Sequence, residues 1–268
     1  MMGALMDDHQ RFSRKGRLMK KNIWAAMLAL VLLFSVSLGE ETGEDPLSRF
    51  SVRNGSRQSP QIAITVDDAF DLDYVWQIRD LFHEYGQVCT FFPIGVMLKE
   101  EKRDDWQKVL DYGDEIGSHN WGHYRMGDSQ YWAIVSALGR FQARLDAILG
   151  YHYQIHAFRP PFGNYTSSSG RTDQMVNAVR ALGYNHVILW DVSQTDPEKA
   201  LKAVRNGSIL LYHARHKDYE CLRVLLPQLL EAGYQPVTVS QLLGLGPNEI
   251  SDEPYVYSKE DFQPHASD

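Results

Sequence analysis

Short β-rich runs alternate with stretches of helical periodicity along most of the chain, and nothing else in it restricts the fold as much. The runs fall at residues 62–66, 88–94, 115–118, 157–158, 186–190, 208–212 and 236–239. Between them apolar residues recur at helical spacing. Tyr74, Ile78, Leu81, Phe82 and Tyr85 make one face; Tyr131, Ile134, Val135, Leu138, Phe141, Leu145 and Ile148 make a second. Met175, Val176, Val179 and Leu182 give a third, and Leu222, Leu225, Leu226, Leu229 and Leu230 a fourth. Gly86, Gly150, Gly183 and Gly233 stand where helix C-caps belong. Seven strands alternating with helices imply βα units and a parallel sheet. An α/β fold is expected, with a closed or nearly closed barrel as first choice and an open doubly wound sheet as second. A chain of 268 residues can bury one such core.

In βα barrels the chemistry sits at the C-terminal ends of the strands. Asp67 and Asp68 end the first run, and His119 ends the third, followed by His123. Arg159 and Pro161 follow the fourth. Asp191 ends the fifth, Asp196 lies in the loop beyond, and His213 ends the sixth. One carboxylate with two imidazoles is a ligand set for Zn²⁺ or a similar divalent ion, and three protein ligands leave positions for water and substrate. The second Asp is then free to act as a base on water. Plainer readings stand beside this one. The Asp pair reads as a solvated turn, the two histidines as surface or core residues, and Arg159-Pro160-Pro161 as a rigid turn. Asp196-Pro197 reads equally as a helix start, with Asp as N-cap and Pro at N1, and His213 as a core histidine. His152, His156 and His186 are read as structural.

The net charge of −7 and the lack of a basic stripe in the globular part exclude nucleic acid as a partner. Two cysteines, Cys89 and Cys221, make no disulfide framework. Arg11, Arg14, Lys15, Arg17, Lys20 and Lys21 precede the uncharged stretch 22–39, and Glu40, Glu41, Glu44 and Asp45 follow it. This order predicts a signal or membrane-anchor segment with the N-terminus inside and the rest outside the cytoplasm. Ser37 and Gly39 would serve a cleavage site, so the protein is expected to be membrane-anchored or secreted. The expected organisation is a basic cytoplasmic tail (1–21), the anchor or signal segment (22–39), a linker (40–60), a catalytic domain (61–245) and an acidic, poorly packed tail (246–268).

The motifs Thr65-Val66-Asp67-Asp68, His119-x-x-x-His123, Arg159-Pro160-Pro161-Phe162-Gly163, Trp190 with Asp196, and Leu211-Tyr212-His213 resemble those of the polysaccharide deacetylases, the NodB-homology enzymes of carbohydrate esterase family 4. The resemblance spans about residues 61–245 and has five motifs in order. It implies a distorted barrel of about seven parallel strands and metal-dependent removal of N-acetyl groups from amino sugars. It implies Asp67 as general base and Asp68, His119 and His123 as ligands of one divalent ion, expected to be Zn²⁺, with Co²⁺, Mn²⁺ or Ni²⁺ as alternatives. Arg159 would hold and orient the base, with a guanidinium able to pair bidentately with Asp67, and the Phe162 N–H would face the oxyanion. His213 would be the general acid, tuned by Asp196, with Asp191 as the other candidate. Trp190, Leu211 and Pro161 would line the acetyl pocket.

The chain departs from the family pattern at Val66, Ala69, Asn120, Phe162 and Pro197. Ala69 requires a backbone angle that tolerates Cβ, and Pro197 removes an aromatic that often follows Asp196. These changes bear on the substrate more than on the reaction. An extracellular glycan, with peptidoglycan first, is the expected substrate. A metal-dependent amidase on another C–N bond and a noncatalytic carbohydrate-binding protein are the alternatives.

Overall fold

The computed structural model describes residues 49–184 and 186–258, within the compact unit Asp45–Asp268. At its centre is β2 (Gln61–Asp68), buried on both faces from Ile62 onward. That is why its sequence is a continuous apolar run rather than an alternating one. β7 (Ile209–His213) pairs with one edge of β2 in parallel. β8 (Gln235–Val237) and then β3 (Thr90–Pro93) take the other edge in succession. β4 (Glu115–Ile116) extends the sheet beyond β3.

The ring closes through short contacts. Ser118 and Phe158 form a single parallel bridge. Ile188 N donates to Phe158 O at 2.8 Å, Ile188 being the end of β6 (Val187–Ile188). A bridge from Val192 to Leu210 returns the ring to β7. The fold is therefore the distorted barrel expected, but its fourth strand is reduced to one bridge. Pro160 and Pro161 follow directly and carry no N–H to continue a ladder. The interior is filled by side chains: Ala63, Phe92, Ala157, Ile188 and Ile209 pack together. Gly117 makes room for Phe92, since a Cβ there would lie 2.5 Å from its ring.

The four periodic faces appear as α1 (Leu72–Glu84), α3 (Tyr131–Leu149), α4 (Asp173–Ala181) and α6 (His216–Glu231). The glycines expected at their ends have φ of 63°, 85°, 84° and 87°. Three helices escaped the pattern: α2 (Arg103–Asp111), α5 (Pro197–Ala203) and α7 (Val239–Leu243). α2 buries only Trp106 and Val109, and α5 only Ala200, too few residues to write a period.

Two segments expected to be loose are folded. Within the supposed linker, β1 (Ser51–Val52) runs parallel to β6, and Val52 is buried. Within the supposed tail, β9 (Ile250–Ser251) pairs antiparallel with β5 (His152–Tyr153), and Tyr255 N donates to the buried Asp146 at 2.7 Å. Two-residue strands carry no periodic signal, so the sequence concealed both. The basic tail and the anchor or signal segment expected at 1–39 lie outside the described residues, as do residues 40–48 and 259–268. Among the described residues no helix is long and apolar enough to cross a membrane.

Candidate active site

The C-terminal end of β2 carries two carboxylates that the chain turns in different directions. Asp67 is still in register, opposite His213 of β7. Asp68 has left extended geometry, with φ 74°, and Ala69 follows at φ 61°. A tight turn closes there, with Ala69 N donating to Asp67 O at 3.0 Å. The loop bearing both histidines is sewn to the end of β3. His119 N donates to Pro93 O at 3.1 Å and Gly95 N to Asn120 O at 2.9 Å. Asn120, at φ 72°, steadies the loop by donating its amide to Gly122 O at 3.0 Å. Phe162, at φ 61° in the short 3-10 turn Pro161–Gly163, completes the set. Among the described residues these four are the only non-glycine residues with positive φ. Such backbone costs about 1–3 kcal/mol per residue and persists where the surroundings enforce it, typically at functional sites.

Asp68 Oδ1 lies 3.3 Å from His119 Nε2 and 3.2 Å from His123 Nε2. One donor atom from each of the three residues falls within 4.8 Å of the others. His119 Nδ1 is 2.7 Å from Arg159 O. A carbonyl only accepts, so Nδ1 carries the proton, and in the neutral ring Nε2 offers its lone pair toward Asp68. Asp68 Oδ1 is buried and has no hydrogen-bond partner. Burial alone would raise the Asp68 carboxyl, but the His119 imidazole beside it, with His123 and His213, holds it below the usual carboxylate range. Burial pushes His123 down, toward the neutral form that ligates. An orphaned carboxylate oxygen facing two imidazole nitrogens fits a divalent cation.

Asp67 is held by Arg159, whose Nη1 donates to Asp67 Oδ1 at 2.7 Å. This contact is single, not bidentate. The guanidinium spends its other donors on Thr65 Oγ1, Ile188 O and Leu189 O, which fixes a fully buried side chain against β2 and β6. Asp67 Oδ2 faces His119 Nε2 at 3.8 Å. His213 Nε2 approaches Asp68 Oδ2 at 4.0 Å from the opposite wall. Trp190 stands beside Gly163 and within 5.6 Å of the Arg159 guanidinium, while Pro161 and Leu211 are buried.

The expected partner of His213 is not there. Asp196 is the N-cap of α5, accepting from Lys199 N at 3.1 Å. Asp191 is tied to Arg57 at 2.7 Å and to Ile209 N at 2.9 Å. The carboxylate facing His213 is Asp218, in the first turn of α6. Its Oδ1 lies 3.8 Å from His213 Nδ1 and accepts from His213 N at 3.1 Å. Arg215 grips Oδ2. The Asp218 carboxylate raises the His213 pKa against the opposing effect of burial. Sequence reading passed over Asp218 because it lies outside the family motifs; its signal was an acid one helical turn into the helix that follows a strand-end histidine.

A carboxylate held by a buried arginine, a cation cradle and a raised imidazole around one point at the strand ends of a βα barrel define a metal-assisted hydrolase. Residues 54–187 match the family profile "Polysaccharide deacetylase". The chain is 30% identical over 202 residues to a peptidoglycan-N-acetylglucosamine deacetylase of Bacillus cereus, covering 68% of this chain and 87% of that protein. It is 26% identical over 191 residues to the peptidoglycan-N-acetylmuramic acid deacetylase PdaC of Bacillus subtilis, covering 68% of this chain and 38% of that protein. A family 4 acetyl xylan esterase from Clostridium thermocellum, solved in complex with a cobalt ion, superposes with a TM-score of 0.58 at 25% identity, over 69% of this chain and 91% of that one. The chain belongs to the polysaccharide deacetylase family.

Proposed function

We propose that the protein removes N-acetyl groups from amino sugars of peptidoglycan outside the cytoplasm. The observation that carries this is the convergence of Asp68, His119 and His123 with the Asp67–Arg159 pair and His213 on one point. Asp68, His119 and His123 would hold one divalent ion, Zn²⁺ being the assignment for one carboxylate and two imidazoles, with Co²⁺, Mn²⁺ or Ni²⁺ able to substitute. When bound, such an ion lowers the pKa of water and polarises the acetyl carbonyl.

The chain's own residues supply the rest. Asp67, oriented by Arg159, takes a proton from the water as its oxygen bonds to the acetyl carbon. The Phe162 backbone N–H donates to the oxyanion that develops. The C–N bond then breaks, and His213 gives its proton to the departing amine, leaving acetate and a free amino sugar. Asp218 positions His213 and favours its imidazolium. Trp190, Leu211 and Pro161 enclose the acetyl methyl. Asp196 has no part in this scheme.

Metal-stripped and metal-reloaded full-length protein should release acetate from peptidoglycan only when reloaded. No acetate from peptidoglycan or from N-acetylglucosamine oligomers, with any of the four metals, would sink the proposal. The extracytoplasmic location rests on the basic-then-apolar order of residues 11–39. Protease added to intact protoplasts should digest the catalytic domain; complete protection would reverse the orientation.

A further inference from the structure

We propose that Phe70, Phe162 and Arg125 form a subsite beside the reaction centre for a sugar ring that carries a carboxylate. This rests on the reading of the protein as a peptidoglycan deacetylase and narrows it.

Phe70 and Phe162 are 57% and 54% exposed, the most exposed aromatic side chains among the described residues. Both lean on one metal-site residue. The Phe70 ring meets His123 edge-on with centroids 5.6 Å apart, and the Phe162 ring lies 4.4 Å from it. Both depend on left-handed backbone, at Ala69 directly before Phe70 and at Phe162 itself. Strained backbone that presents large apolar rings to water opposes stability twice, which points to a ligand. The C–H face of a pyranose is apolar and packs on aromatic rings, while its hydroxyls remain in water.

Arg125 supplies the charge. Its guanidinium lies over the Phe162 ring at 5.1 Å from the centroid. Arg125 is exposed, and among the described residues no carboxylate pairs with it. Arg57, Arg171 and Arg223 are paired with Asp191, Asp173 and Glu220. Among the described residues Arg125 shares its unpaired state with Arg140 and Arg144 and differs from them in lying over a ring that packs on His123. A planar guanidinium at the end of an apolar wall matches a carboxylate held off the edge of a stacked ring. In peptidoglycan that group is the lactyl carboxylate on alternate sugars, free wherever the stem peptide has been removed; a uronic acid presents the same chemistry from the ring itself.

Calorimetric titration of the metal-loaded full-length protein decides this. Four probes are used: peptidoglycan glycan strands freed of stem peptides, the same strands methyl-esterified, oligosaccharides alternating N-acetylglucosamine with a uronic acid, and N-acetylglucosamine oligomers. Wild type should bind the free-carboxylate strands about tenfold more tightly than the esterified ones, with a preference that fades in salt. Arg125→Gln should erase that preference, and Arg125→Lys should restore part of it. Phe70→Ala should weaken free and esterified strands by equal factors. Tight binding of the uronic-acid oligosaccharide would assign the subsite to sugar carboxylates in general, and weak binding there to the lactyl group. Equal wild-type affinity for free and esterified strands, or an Arg125→Gln loss that is the same on both, would overturn the subsite. Acetate measured in the same samples separates the two ideas: binding preference without acetate removes the deacetylase reading alone, and acetate without preference removes the subsite alone.

Discussion

Asp68 and Glu115 are both buried carboxylates on one sheet, Asp68 at the C-terminal end of β2 and Glu115 at the N-terminal end of β4. At the N-terminal end every demand is met. Glu115 accepts from Thr90 Oγ1 at 2.9 Å, from Ser240 N at 3.1 Å and from the Ser240 hydroxyl. Thr90 in turn accepts from Val239 N, and Thr238 from Gln241 N, so the first N–H groups of α7 are all satisfied. At the C-terminal end Asp68 Oδ1 has no hydrogen-bond partner, and the backbone around it is strained. The shifts run in opposite directions: burial raises Glu115 and takes its neighbour Asp114 up to about 7, whereas the histidines hold Asp68 low. A buried charge whose neighbours are all hydrogen-bonded serves the fold. One left without a hydrogen-bond partner beside two imidazole nitrogens serves a ligand.

The strongest way to break this contrast is to delete one residue from each end. His123→Ala should remove a metal ligand and lower acetate release by about 10³-fold or more, since the ion's transition-state stabilisation is worth several kcal/mol. Its stability without metal should change little. Glu115→Ala should do the reverse. It strands the Thr90 hydroxyl and both Ser240 donors, costing about 3 kcal/mol or more, while metal content per folded molecule stays at the wild-type level. Denaturant titration of the metal-free proteins and metal analysis of the loaded ones check both. Equal destabilisation by the two changes would mean that the site also holds the fold together.

Asp67→Asn separates catalysis from metal binding within the C-terminal end. It should lower the rate by about 10²–10⁴-fold and retain the metal. Loss of metal in this variant would move Asp67 into the ligand set. Asp114→Asn tests the N-terminal end. Burial pushes the Asp114 carboxyl up to about 7 when folded, against 3.8 for an ordinary aspartate, so between those values the folded state binds more protons than the unfolded. Stability therefore falls as pH rises from about 4 to about 7, and the penalty is complete above that. Asn keeps the acceptor for Cys89 N, which lies 2.8 Å from Asp114, without the charge. The variant should match wild type near pH 4 and exceed it by roughly 2–4 kcal/mol at pH 8. An unchanged difference across that range would show that Asp114 stays ionised at low cost.

What could be read from the sequence divides along the same line. The C-terminal rim announced itself, because Asp67, Asp68, His119, Arg159 and His213 each end a run or follow one, and a barrel gathers such residues by topology. The long helices were visible because α3 and α6 bury enough residues to print a period. The N-terminal end was silent. Glu115, Thr90 and Ser240 are ordinary polar residues in three separate elements, and only tertiary structure brings them together. β1 and β9 were hidden for a related reason: two residues pair with a distant partner and leave no local trace. Asp196 misled because one residue type serves two purposes. Followed by Pro197, it could cap a helix, and the backbone took that option.

The replacement of Asp196 by Asp218 gives the finest test of the contrast, because Asp218 has a share in both kinds of role. Like Glu115 it is buried and hydrogen-bonded, through Arg215 and His213 N. Like Asp68 it acts on a histidine at the reaction centre. A raised histidine pKa keeps the imidazolium populated to higher pH, so the acid needed for the departing amine persists on the alkaline side. Asp218→Asn removes that support and should move the alkaline limb of the kcat profile to lower pH, with about a tenfold loss above neutrality that shrinks as pH falls and His213 protonates in both proteins. The stability linkage has the same sign: the ion pair's contribution is complete below the unfolded histidine pKa and disappears as pH rises through the folded one. An ester substrate sharpens the test, because an alkoxide leaves with less help than an amine, so the Asp218→Asn loss should shrink on it. Asp196→Asn, which touches only the cap of α5, should leave the profile in place. A uniform loss at every pH and on both substrates would make Asp218 a residue of the fold, in the same class as Glu115.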